Sequence, residues 1–163
     1  MKKMMIMGIA TCLLAISSCS TVPLTGRSRL SLVDDSALQQ QAAIGYQQLL
    51  SDPTTKVVST NSANTQMVKR VGAKISAAVT QYMNQNGFGE QIRNYKWEFN
   101  LIESKEINAW CMPGGKVAIY TGILPVTKDE AGLATVMGHE IAHAIAQHSA
   151  ERASQMQLAQ VGG

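Results

Sequence analysis

The sequence predicts an α+β domain, helices with a small sheet, in which a long late helix carries two histidines. Three patterns predict it. Apolar residues recur every three or four positions over 68–83, they alternate with polar residues over 95–101, and two short apolar runs, 109–112 and 117–120, flank Pro113-Gly114-Gly115.

The elements follow in chain order. From Asp35 to about residue 50, Leu38, Gln41, Ala42 and Leu49 share helical spacing; Asp34-Asp35-Ser36 offers a cap and Asp52-Pro53 a stop. Val68, Val71, Ile75, Val79 and Met83 mark one face of a second helix, which Asn86-Gly87 closes. Tyr95, Trp97, Phe99 and Leu101 alternate with Lys96, Glu98 and Asn100, the period-two signature of a half-buried strand. The Pro-Gly-Gly punctuation then folds the next two runs into a hairpin or tight bend. Thr127-Lys128-Asp129-Glu130 reads as a capping box, with the hydroxyl and carboxylate satisfying free amides at a helix start. The helix that follows has Leu133, Val136, Met137, Ile141, Ala144 and Ile145 along a broad apolar stripe. There is no internal repeat and no low-complexity segment.

At 163 residues, 45% hydrophobic and 15% charged, the chain has material for one domain with a core. Its beginning reads as an export signal. Lys2 and Lys3 precede an uncharged run over 4–16, too short to span a bilayer but of signal-peptide length. Ile16-Ser17-Ser18-Cys19 resembles a lipobox, which makes residues 1–18 a lipoprotein signal peptide and Cys19 the lipidated first residue. An ordinary secretory signal cut at another small residue, or a buried apolar helix, are the alternatives. Residues 19–33, with Pro23 and Gly26, read as an extended lipidated tether to a folded part over 34–163. The expected partner is therefore a membrane, reached through acyl chains that each add about 0.8 kcal/mol per buried methylene. Ser20, which is not Asp, implies by the same resemblance an outer-membrane destination.

Nucleic acid is not an expected partner. The formal charge is +3, and removing Lys2 and Lys3 from 14 basic residues leaves 12 against 11 acidic, net +1. Of the three cysteines, Cys12 leaves with the signal and Cys19 is acylated, so Cys111 stands alone as a buried small hydrophobe and no disulfide framework is expected.

The chemistry is carried by His139-Glu140-Ile141-Ala142-His143. Residues four apart on a helix have Cβ atoms about 6 Å apart, so His139 and His143 can each give a ring nitrogen to one zinc ion per chain. Glu140, about 100° around the helix, is poorly placed as a ligand but well placed to take the proton of an attacking water. A structural histidine pair is the bland alternative. A catalytic zinc also needs a third protein ligand. His148 on a continuous helix would lie about 7.5 Å further along and about 140° around from His143, so it cannot share the metal without a break. Glu151 lies about 12 Å along the same helix. Glu103, Glu106 and Glu130 remain open without motif support.

Residues 108–122, reading NAWCMPGGKVAIYTG, together with 139–143 and His148-Ser149-Ala150-Glu151-Arg152, resemble metallopeptidase family forty-eight. That gluzincin family includes the HtpX heat-shock protease and the CAAX prenyl endopeptidases. The likeness covers roughly residue 35 to the end and is nearest the family's periplasmic lipoproteins, relatives of a mitochondrial inner-membrane quality-control protease. It implies a zincin-like fold, zinc ligation by His139 and His143, catalysis by Glu140, and addition of substrate as an extra strand at Asn108 and Ala109. It also implies a third ligand, a Glu on a later helix tens of residues on, so that a chain ending at Gly163 is expected to be a partial, C-terminally truncated domain. The implied activity is endopeptidase cleavage of unfolded or misassembled envelope proteins, facing the periplasm. The competing expectation is a non-catalytic envelope lipoprotein with a degenerate two-histidine zinc site or a client-holding role; a third is an inert helical lipoprotein.

Overall fold

The computed structural model describes residues 19–22, 26, 28–30 and 32–161. The expected signal peptide lies outside the described residues. The first long helix, α1 (Asp35–Ser51), starts where expected, because Asp34 accepts from the Ala37 amide at 2.8 Å. Helix α2 (Ala63–Gln85) is capped by Ser62 and ends at Asn86, after which Gly87 takes φ +80°, a conformation that glycine adopts without penalty. A single turn, α3 (Gly89–Ile92), leads to strand β3 (Glu98–Ile102), with β4 (Ala109–Met112) and β5 (Lys116–Tyr120) following as a hairpin. Gly114 and Gly115 both have φ near +80° (83° and 82°), which is why this turn needs the glycine pair.

The sheet order is β3-β5-β4, with β5 parallel to β3 and antiparallel to β4. Strand β3 starts at Glu98 rather than Tyr95. The amides of Lys96, upstream, and of Glu98, at its start, bond to the carbonyls of Gly114 and Gly115, so this stretch runs along the hairpin turn.

The sheet is covered on both faces, and alternation along each strand decides what goes where. Phe99, Leu101, Ala109, Cys111, Val117 and Ile119 face α2 and the histidine-bearing helix. Ile102, Trp110, Met112, Ala118 and Tyr120 face α1, around a fully buried Tyr46. Tyr46 donates to Val117 O at 2.6 Å, receives a bond from Asn100 Nδ2 at 3.2 Å, and meets Trp110 edge-on. Burial drives its phenol pKa upward.

Of the stretch read as an extended tether, the described residues fold back instead. Two short strands, β1 (Cys19–Thr21) and β2 (Ser28–Leu30), pair antiparallel, Val22 is buried, and Leu32 N donates to Ser154 Oγ at 3.0 Å. Free backbone groups beside an accessible partner are better satisfied by pairing than by running alone.

Tyr46→Phe should lower stability by about 1–3 kcal/mol, because Val117 O loses its donor in a site that water does not reach. Urea unfolding should show a lower midpoint with an unchanged slope; an unchanged midpoint would remove Tyr46 from its anchoring role.

Candidate metal centre

After β5 the chain makes a 3-10 turn (Thr121–Ile123), a one-turn helix α4 (Leu124–Thr127) and then α5 (Glu130–Ile145). The expected capping box is displaced. Pro125 favours a helical turn that begins early, so Thr127 ends α4 and its hydroxyl donates to Leu124 O at 3.1 Å. Asp129 is the cap of α5, accepting from Gly132 N at 2.8 Å. Gly132 lies so close against Thr127 O that a side chain there would collide with backbone. Glu130, instead of reaching back to the cap, pairs with Arg70, with Lys74 at 3.9 Å; the Arg70 hydrogen bond, first, holds its carboxyl below the usual range.

Helix α5 buries Leu133, Met137, Ile141, Ala144 and Ile145, spaced by three or four, against α2 and β4. Tyr95 pins its end, with the hydroxyl donating to Ala144 O at 3.2 Å. At about 100° per residue this stripe leaves His139 and His143 on the opposite, exposed face. Their Nε2 atoms converge to 3.0 Å, with ring centroids 4.4 Å apart. Two ligands of a tetrahedral zinc at about 2.0–2.1 Å each stand about 3.3 Å apart, so the rings fit as two arms of one metal site. Glu140 sits half-buried between the histidine face and the sheet. Its charge reaches Cys111 on β4, where burial first and Glu140 second push the thiol pKa up to about 12. Cys111 is half-buried rather than fully buried, and its thiol is free among the described residues.

The upstream carboxylates go elsewhere. Glu103 lies 4.0 Å from Lys56, and Glu106 accepts from Asn108 Nδ2 at 2.9 Å. Among the described residues no set of three His, Cys, Asp or Glu converges on one metal position. Asn108 and Ala109 lie at the start of β4, an edge strand. Asn108 O accepts from Tyr120 N at 3.1 Å, so by antiparallel alternation Asn108 and Trp110 turn their backbone inward, and Ala109 and Cys111 turn theirs outward.

One neighbour was not foreseen. The histidine helix does not continue to His148: α5 stops at Ile145, Gln147 adopts φ +56°, and α6 (His148–Val161) starts anew. That break brings His148 Nδ1 to 2.7 Å from His143 Nδ1. No glycine or proline at Ala146-Gln147 announces the reversal.

A family model described as peptidase family M48 matches residues 64–162, which include α2 but for its first residue, the three-stranded sheet and the whole histidine helix. The chain belongs to peptidase family M48. Members of this metallopeptidase family are zinc-dependent in general. The M48 chain is 34% identical over 131 residues to the "Mitochondrial metalloendopeptidase OMA1" of Schizosaccharomyces pombe, covering 80% of this chain and 36% of that protein. It is 29% identical to "Metalloendopeptidase OMA1, mitochondrial" of Bos taurus, over 83% of this chain and 25% of the relative. It is 28% identical to the "Beta-barrel assembly-enhancing protease" of Yersinia pestis, over 73% of this chain and 27% of the relative. The matched stretch is thus about a third or less of each relative's length. No solved structure matches. The α+β architecture with the motif on a long helix agrees with the fold that M48 membership implies.

Proposed function

We propose that this M48 chain carries the zinc-binding core of a metalloendopeptidase that acts on unfolded or misassembled proteins of the cell envelope. The observation that carries the reading is the convergence of His139 and His143 Nε2 to 3.0 Å, with Glu140 one residue away on the side toward β4. His139 and His143 would hold zinc, which when bound polarises a peptide carbonyl and lowers the pKa of water. Glu140 takes the proton of the attacking water and delivers it to the leaving amine.

Strand β4 gives the substrate a place to lie. On the far side of the sheet, Val58 N bonds to Leu101 O and Glu103 N to Lys56 O, so the segment around residue 57 covers the β3 edge. The β4 edge has no such cover among the described residues. A peptide added there is held by its main chain through Ala109 and Cys111, which accepts many sequences and suits the clearing of misfolded chains. Asn108, with its backbone turned inward, would contribute at the margin of that strand. Export and lipidation of Cys19, with attachment to the outer membrane facing the periplasm, complete the proposal; the run over 1–19 supports them. The relatives named for a mitochondrial peptidase and for a protease that enhances β-barrel assembly support a role in protein quality control.

A second reading is a non-catalytic lipoprotein that binds zinc weakly or holds clients; the lack of a third converging ligand among the described residues favours it. Glu140→Gln separates the two. The enzyme reading expects cleavage of unfolded casein to fall about 10³-fold with zinc still at one per chain. A wild-type chain that cleaves nothing and binds zinc only weakly supports the second. Ala109→Pro, which removes an outward N–H from an edge position where proline is tolerated, should raise KM for peptides about tenfold at unchanged kcat and circular dichroism. An unchanged KM would place the substrate elsewhere.

A further inference from the structure

A histidine that ligates through Nε2 must leave that nitrogen unprotonated, so in the neutral ring the proton sits on Nδ1 and needs an acceptor. In this chain the atom opposite His143 Nδ1 is His148 Nδ1, at 2.7 Å. We propose that His148 is a positioning residue for the metal site, its Nδ1 lone pair accepting the Nδ1–H of His143 and so fixing the tautomer and angle of that ligand. The inference rests on His139 and His143 being the zinc ligands.

Ligation through His143 Nε2 sets the polarity of this bond. If His148 donated, His143 would carry its proton on Nε2, the atom that faces His139 Nε2 at 3.0 Å, and could not bind a cation there. Acceptance by His148 is the arrangement that leaves His143 Nε2 free for a cation shared with His139. His148 meets the other end of the His143 ring, so the contact does not place it on the metal.

The backbone is bent to make this contact. Ala146 N and Gln147 N close α5 onto Ala142 O and Ala144 O at 2.8 and 3.1 Å, and Gln147 then takes its left-handed conformation. Such a φ is unfavourable for a non-glycine residue and persists only where its surroundings impose it. Here Glu151 N bonds to Gln147 O at 3.1 Å, starting α6, and Ala150 and Ser154 are buried on it. Helix α6 therefore grips the position from which His148 reaches back.

The test is zinc affinity of the full chain, measured by competition with a chromophoric chelator for wild type, His148→Phe and His148→Asn. Phenylalanine keeps a ring without an acceptor; asparagine keeps an oxygen where Nδ1 was. The Phe variant should bind zinc about 10- to 100-fold more weakly and the Asn variant within about threefold of wild type. Equal affinity of all three, or loss in the Asn variant as large as in the Phe variant with both folded, overturns the role of His148. Ring-nitrogen NMR of zinc-loaded wild type checks it without a variant: a proton on His143 Nδ1 is required, and one on Nε2 contradicts it. A wild type that takes up no zinc overturns the two-histidine reading and this inference together, which distinguishes that failure from the loss of His148 alone.

Discussion

Two imidazoles one helical turn apart can meet nitrogen to nitrogen only if their helix is held rigid while the face they occupy stays open. Leu133, Met137 and Ile141 are at most 1% exposed, and burying each contributes about 1.5–3 kcal/mol. The apolar stripe therefore fixes the helix, and the two exposed histidines take the remaining face. Asp129 at the start, and Tyr95 and the left-handed Gln147 near the end, fix where the helix begins and stops.

The same packing joins the carboxylate to the sheet. Because α5 lies on β4, Glu140 occupies the boundary between the histidine face and the strand whose outer backbone is unpaired among the described residues. An incoming strand and the base that would act on it are thus referred to one rigid contact. The opposite sheet face, sealed by α1 through Tyr46, takes no part in this arrangement except to hold β5 in register.

Local chemistry made most of this legible in the sequence. The hairpin could be read from Pro113-Gly114-Gly115 because only glycine adopts the two consecutive positive φ values cheaply. The second helix and the histidine pair could be read from spacing, since a 3.6-residue period leaves little choice of face. What was hidden depends on partners distant in sequence. That β3 runs parallel to β5, or that Cys19–Thr21 pairs with Ser28–Leu30, is decided by tertiary pairing, which no short window encodes. The cap moved from Thr127 to Asp129 because Pro125 starts an extra turn and Arg70, from another helix, takes Glu130. The break at Gln147 carries no glycine, so helix propensity argued for continuity and concealed that His148 returns to His143.

Whether His139 and His143 share one cation is read by zinc K-edge absorption of the full chain reconstituted with one equivalent of zinc. A shared cation gives two imidazole nitrogens at about 2.0–2.1 Å with the multiple scattering of their rings. A first shell of oxygen or sulfur without imidazole scattering would contradict it.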